Sequence, residues 1–190
     1  MMNRRDGMAR RERIRADLGL NAKALVAFLT ALLIALLIAC PFAMAGPAPG
    51  TPRIGSLLPS VMLSRATGAP VRIPDHFRGK VLVLHFWQIG CSSCRADMPA
   101  MDGLYRRYRG RGLEIVAVNV GQEAGAVKAY AVGLGVSYPI VMDPSGKSAS
   151  AYGVVDVPRT YIVDRSGVVR YRILGGATQE TLTRLITSLF

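Results

Sequence analysis

Cys91 and Cys94 stand three residues apart, separated only by Ser92 and Ser93. Two sulfurs at this spacing can carry thiol-disulfide exchange: one thiolate attacks a disulfide, and the other, about one helical turn away, reaches back to resolve the mixed disulfide. A structural bridge, half of a zinc site and two inert thiols are the other chemistries open to such a pair. Zinc would need further ligands, and the only histidines, His76 and His85, have no paired spacing. The local setting decides between reactive and inert. The apolar run Val81–Trp87, opened by Lys80, reads as a buried central strand. Beyond the cysteines, Met98, Met101, Tyr105 and Tyr108 recur at helical spacing, predicting a helix from about Ser92 to Arg109. At such a strand-to-helix junction the unpaired N–H groups and the positive end of the dipole favour thiolate over thiol. Cys91 is therefore the expected nucleophile and Cys94 the expected resolving sulfur.

The elements that must hold this pair follow along the chain. Val61 to Leu63 and Val71 to Ile73 flank a turn-prone Thr67–Pro70 stretch and predict a small hairpin of two edge strands. Leu113 to Val120 is strand-like, Ala124 to Leu134 helical, and Tyr138 to Met142 another short strand. Arg159 to Val163 and Val168 to Ile173 predict a hairpin turning at Asp164–Gly167, and Leu182, Leu185, Ile186 and Leu189 mark a last helix from about Gln179. The order is hairpin, βαβαβ, hairpin, helix: an α/β domain with a central mixed sheet flanked by helices.

The 190 residues suffice for one ordinary domain with accessories, and 51% hydrophobic against 19% charged residues excludes a disordered chain. The net charge of +12 raises the question of nucleic acid. Seven Lys/Arg against three acids lie in residues 1–23, and the dense group Arg106, Arg107, Arg109 and Arg111 closes a predicted helix, where cations suit the dipole. With no zinc-finger or RNA-binding motif beside them, no nucleic-acid partner is expected.

Residues 1–23 form a basic region expected on the cytoplasmic side. Residues 24–45 hold no charge and would span about 33 Å as a helix, enough for a bilayer core of about 30 Å. The charge asymmetry places the rest of the chain across the membrane, on the exported, periplasmic side. Three fates compete: cleavage after Ala43-Met44-Ala45 with secretion, lipidation at Cys40 after the lipobox-like Leu37–Cys40, and an uncleaved anchor, the reading adopted as default. Residues 46–53 are a Pro/Gly linker, and the folded domain is expected over 54–190.

The run Phe86-Trp87, Cys91, Cys94-Arg95, Asp97, Pro99 resembles the active site of thioredoxin-fold proteins, specifically the TlpA/ResA/CcmG-like thiol-disulfide oxidoreductases of the bacterial cell envelope. Val157-Pro158-Arg159-Thr160 looks like that family's cis-proline strand. The resemblance covers about Gly55 to Leu189 and implies a thioredoxin-like fold, a redox-active Cys91–Cys94 disulfide, protein thiol or disulfide substrates such as apocytochrome c or copper-site precursors, and a membrane-embedded electron donor. It implies no cofactor and no metal. Pro158 would be cis and face the cysteines, with the Val157 N–H and C=O free to pair with a substrate strand. Asp97 would occupy the family's acidic position and accept a proton from Cys94; otherwise it is a favourable charge in a helix's first turns.

Three departures from the pattern are visible. Gly90 stands where the family commonly has Trp, leaving a more flexible approach to Cys91. Ser92 and Ser93 replace a Pro-containing pair, and their N–H and hydroxyl donors are expected to stabilise the Cys91 thiolate and make the pair more oxidising. His85 replaces an Asn. It would act as a proton relay titrating between about pH 5 and 8, or serve as a hydrogen-bonded core residue. Rival functions are a copper-delivery protein using both cysteines, a peroxiredoxin-like peroxidase, which would want Thr at Gln88, and a non-catalytic docking module.

Overall fold

A computed structural model describes residues 24–32, 50–65 and 68–190. Two compact units result, Met1–Gly46 and Pro47–Phe190. In the first, residues 24–32 are helical (α1), with Leu25, Phe28 and Leu29 exposed. Among the described residues no helix is long and apolar enough to cross a membrane. The rest of the expected 24–45 segment, Cys40, the Ala43–Ala45 site and the basic region 1–23 lie outside the described residues.

The second unit is a seven-stranded mixed sheet: β1 (Val61–Arg65), β2 (Val71–Ile73), β3 (Val81–Trp87), β4 (Leu113–Val120), β5 (Ile140–Asp143), β6 (Arg159–Val163) and β7 (Val169–Leu174), in the order β2-β1-β5-β4-β3-β6-β7. The strands β3, β4 and β5 run parallel, and β6, β7, β1 and β2 add antiparallel neighbours. This is the thioredoxin-like arrangement. All seven residues of β3 are buried, as a central strand with both faces covered requires. On one face Val81, Val83 and Trp87 pack against α2 (Ser92–Tyr108), α3 (Ala124–Leu134) and α5 (Gln179–Thr187) through Met98, Met101, Val127, Leu182 and Ile186. On the other, Leu82, Leu84 and Phe86 meet Ile73, Tyr152 and Ala149, the last from the short helix α4 (Lys147–Ala151).

Three expectations are corrected. Of the two hairpin strands only β2 is an edge: β1 also pairs with β5 through Ser64–Met142 and Arg65–Val141, closing the open side of β5 that would otherwise present unpaired backbone. The third parallel strand starts at Ile140 rather than Tyr138, because Pro139 has no N–H to give; Tyr138 instead is buried, its ring edge-on to Tyr105. Helix α4, unseen in the pattern, is only five residues long and is held by Asp143, whose carboxylate accepts from Ser148 Oγ (2.6 Å) and the Ala149 N–H (2.8 Å).

Candidate active site

Strand β3 ends at Trp87, and the chain turns through Gln88–Gly90 into α2. Gly90 carries φ +91°, a left-handed conformation that bulky L-residues resist, so the glycine in place of the family's Trp has a backbone reason. The Cys91 N–H donates to the Gln88 carbonyl at 3.3 Å, closing the turn. Cys91 is the N-cap of α2: its backbone is extended, and its sulfur accepts the Cys94 N–H at 3.1 Å. The helix-mouth placement expected from spacing is therefore present. The two cysteines form a disulfide with Cα atoms 5.3 Å apart. Cys91 is half-buried, whereas Cys94 is 1% exposed. A substrate sulfur has access to Cys91 alone, and Cys94 sits behind it.

In the disulfide form the two serines make no hydrogen-bond contact with the sulfurs through their hydroxyls. Both side chains are exposed, and among the described residues neither hydroxyl has a hydrogen-bond partner; the donor on the Cys91 sulfur is the Cys94 N–H. On an N-terminal turn whose side chains splay toward solvent, the backbone and not the hydroxyls faces the capping sulfur.

Asp97 lies one turn after Cys94 on the same inward face of α2 and is buried. Its Oδ1 accepts the Ala177 N–H at 3.2 Å, and Oδ2 has no partner among the described residues. Burial raises its pKa above the usual carboxylate value, with the Ala177 hydrogen bond pulling the other way. Such a carboxyl keeps its proton to higher pH than a solvated one, one turn along α2 from Cys94.

His85 is fully buried in β3. By strand alternation it shares the α2-facing side with Val83 and Trp87, the layer that also contains Cys94. Its Nδ1 lies 2.9 Å from Thr160 Oγ1 across the β3–β6 pair, and Nε2 has no partner among the described residues. Desolvation lowers its pKa to about 4. The expected titration between pH 5 and 8 is thereby corrected: His85 is neutral throughout that range, because nothing around it compensates a buried imidazolium.

The Val157–Pro158 peptide is cis. The register Phe86–Arg159 sets Pro158 beside Trp87, so Val157 and Pro158 sit at the end of the sheet from which the cysteine loop departs. Val157 and Cys91 pack against the same apolar cluster. Among the described residues neither backbone group of Val157 is hydrogen-bonded, while the Pro158 carbonyl accepts from Gly175 (3.0 Å). Val157, just ahead of β6, thus carries a backbone donor and an acceptor that are not engaged among the described residues.

Sequence reasoning did not assign Ala177 or the amide of Gln122, which contacts the backbone of Ile89. Neither carries a local signal, since each acts on a residue more than thirty positions away. Thr160 was visible in the V-P-R-T run, but its pairing with His85 depends on the strand register.

Comparison with known proteins adds lineage to this geometry. The AhpC/TSA family model matches residues 54–172. The thiol-disulfide oxidoreductase ResA of Geobacillus thermodenitrificans is 38% identical over 136 residues, 72% of this chain and 78% of that protein. ResA of Bacillus subtilis is 32% identical over 128 residues, 67% of this chain and 71% of its own length. Among solved structures, a Chlorobium tepidum protein described as a DsbE-type thiol:disulfide interchange protein superimposes with TM-score 0.69 at 28% identity, covering 73% of this chain and 99% of that one. StoA from Bacillus subtilis, with TM-score 0.59 and 22% identity over 67% and 96% of the two chains, speaks to the fold alone.

Proposed function

Since the chain belongs to the AhpC/TSA family and, with its ResA relatives, to the thiol-disulfide oxidoreductases, we propose that it reduces disulfides of exported proteins while tethered to the bacterial cytoplasmic membrane. The observation that carries the reading is the asymmetry of the pair: a half-buried Cys91 sulfur at the mouth of α2, accepting the Cys94 N–H, with Cys94 buried behind it.

In the reduced protein the Cys91 thiolate attacks one sulfur of a substrate disulfide. A mixed disulfide forms, and the substrate's second sulfur leaves as thiolate and takes up a proton. Val157 holds the substrate segment by strand pairing at its free N–H and C=O. Cys94 then loses its proton to Asp97, the buried carboxylate one turn further along α2, and attacks the Cys91 sulfur. The bond to substrate breaks and a second thiolate departs. Two electrons have passed to the substrate, and the Cys91–Cys94 disulfide present in the structure is the oxidised product. His85 stays neutral through this cycle and hydrogen-bonds Thr160.

Regeneration needs two electrons from outside. On the exported side we assign this to a membrane-embedded dithiol donor, with apocytochrome c or copper-site precursors as substrates, by resemblance to the TlpA/ResA/CcmG group. The tether rests on the uncharged residues 24–45 following a basic segment.

A Cys94→Ser variant of the full chain, expressed in the native host, tests this. Mixed disulfides through Cys91 to exported proteins are expected on mass spectrometry. Partners confined to the cytoplasm, or none, would refute the proposal. Reaction of briefly reduced intact cells with a membrane-impermeant maleimide reports separately on which side Cys91 lies.

A further inference from the structure

The segment that delivers Cys91 to α2 is stitched to the neighbouring loop by side-chain amides. Gln122 lies just past the end of β4, where Gly121 turns the chain with φ +70° and its N–H donates to the Asp143 carbonyl at 2.9 Å. From there the Gln122 side chain meets both polar groups of the Ile89 backbone: Oε1 accepts the Ile89 N–H at 2.6 Å, and Nε2 donates to the Ile89 carbonyl at 3.4 Å. An amide paired in both directions with one residue's backbone does the work of an adjacent strand. Asn119 fixes its orientation, because the fully buried Asn119 Nδ2 donates to the same Oε1 at 2.9 Å. Gln88 makes the return stitch, its Nε2 donating to the Val120 carbonyl at 3.0 Å.

We propose that Gln122 is a positioning residue for the reactive sulfur: its amide splints the Ile89 backbone and so holds Cys91 at the mouth of α2. This rests on Cys91 being the attacking sulfur. The physical need is clear. Gly90 follows Ile89 and is the residue with the widest backbone freedom, so without the splint the hydrogen bonds that order this turn reduce, among the described residues, to the 3.3 Å bond from Cys91 to Gln88 and the Gln88 stitch to Val120, beside the packing of the Ile89 side chain on the core. A sulfur that wanders from the helix mouth loses the Cys94 N–H and the dipole that stabilise its thiolate. Gln122 touches neither sulfur; it acts through Ile89.

The test uses reduced full-length protein and follows iodoacetamide alkylation of Cys91 against pH by mass spectrometry. Gln122→Met keeps the side chain's length and bulk while removing both bonds to Ile89. Its alkylation midpoint is expected to rise, so that below the midpoint Cys91 reacts about threefold to tenfold more slowly, while the plateau at high pH matches wild type. Backbone hydrogen exchange over residues 88–91 should quicken, with α2 and β3 unchanged. If Gln122→Met does not fold, Asn119→Ala removes the orienting bond instead and should shift the midpoint in the same direction. An unmoved midpoint in a folded variant overturns the inference, as does a uniform loss of rate that includes the plateau, which would indicate steric access rather than thiolate stabilisation. A wild-type Cys91 with ordinary thiol acidity would refute the attacking-sulfur reading and the splint with it. An acidified wild type with an unmoved variant would refute the splint alone.

Discussion

The Asp97 carboxyl reaches from α2 to the loop ahead of α5, where Oδ1 accepts the Ala177 N–H at 3.2 Å and Oδ2 is left buried without a partner among the described residues. Burial raises its pKa, and the stability consequence has a definite sign. Between the unfolded and the raised folded pKa, the native state binds more protons than the unfolded chain, so stability falls as pH rises through that window and stays lowered above it. Asp97→Asn, whose amide oxygen can still accept from Ala177, should therefore raise the melting temperature of the oxidised protein at neutral pH, with the gain disappearing near pH 4. The same variant should slow release of substrate from the Cys91 mixed disulfide about tenfold or more, measured by quenched-flow with a model disulfide peptide. A variant that melts lower at pH 7 and resolves at the wild-type rate would contradict both assignments.

For His85 the sign is opposite. A folded pKa lowered to about 4 means that the unfolded chain takes up a proton that the native state refuses, so the contribution is present above about pH 6.5 and is lost as pH falls toward about 4. The loss amounts to about 3 kcal/mol over that window. Urea unfolding of wild type against His85→Asn between pH 4 and 7 should show the variant with the flatter profile. Parallel profiles would mean that His85 is solvated or charged in the native protein.

Gly90 has φ +91°, and a Cβ built there would meet no atom within 4 Å. The cost of Gly90→Ala is accordingly one of backbone conformation only, about 1–2 kcal/mol. Equilibrium denaturation should return this value with an unchanged slope against denaturant. A loss several times larger would indicate packing that the open space beside Gly90 does not contain.

Ser92 and Ser93 are exposed, and neither hydroxyl has a hydrogen-bond partner among the described residues. Converting Ser92 and Ser93 together to alanine should shift the equilibrium constant with glutathione by less than about threefold, since the Cys94 N–H remains on the sulfur. A tenfold change would restore the hydroxyls as thiolate donors in the reduced state.

Much of this architecture was legible because it is written in local pattern. The seven-residue apolar run of β3, the inward Met98 and Met101 of α2 and the Cys-x-x-Cys at their junction are consequences of neighbouring residues, and the helix-mouth sulfur followed from them. The V-P-R-T run marked the opposing strand. Helix α4 escaped because five residues show no period, and its anchor Asp143 precedes it by four positions.

By itself, then, the sequence determined that two sulfurs sit where a buried strand becomes a helix, because periodicity and helix-end electrostatics are properties of contiguous chain. Only the tertiary structure decided the rest: that Cys94 is sealed while Cys91 is reachable, that His85 is too desolvated to hold a charge near neutral pH, and that Gln122, thirty-three residues away, grips the loop. Burial and long-range hydrogen bonding are set by which strands become neighbours, and β3 finds β4 on one side and β6 on the other only once the sheet has closed.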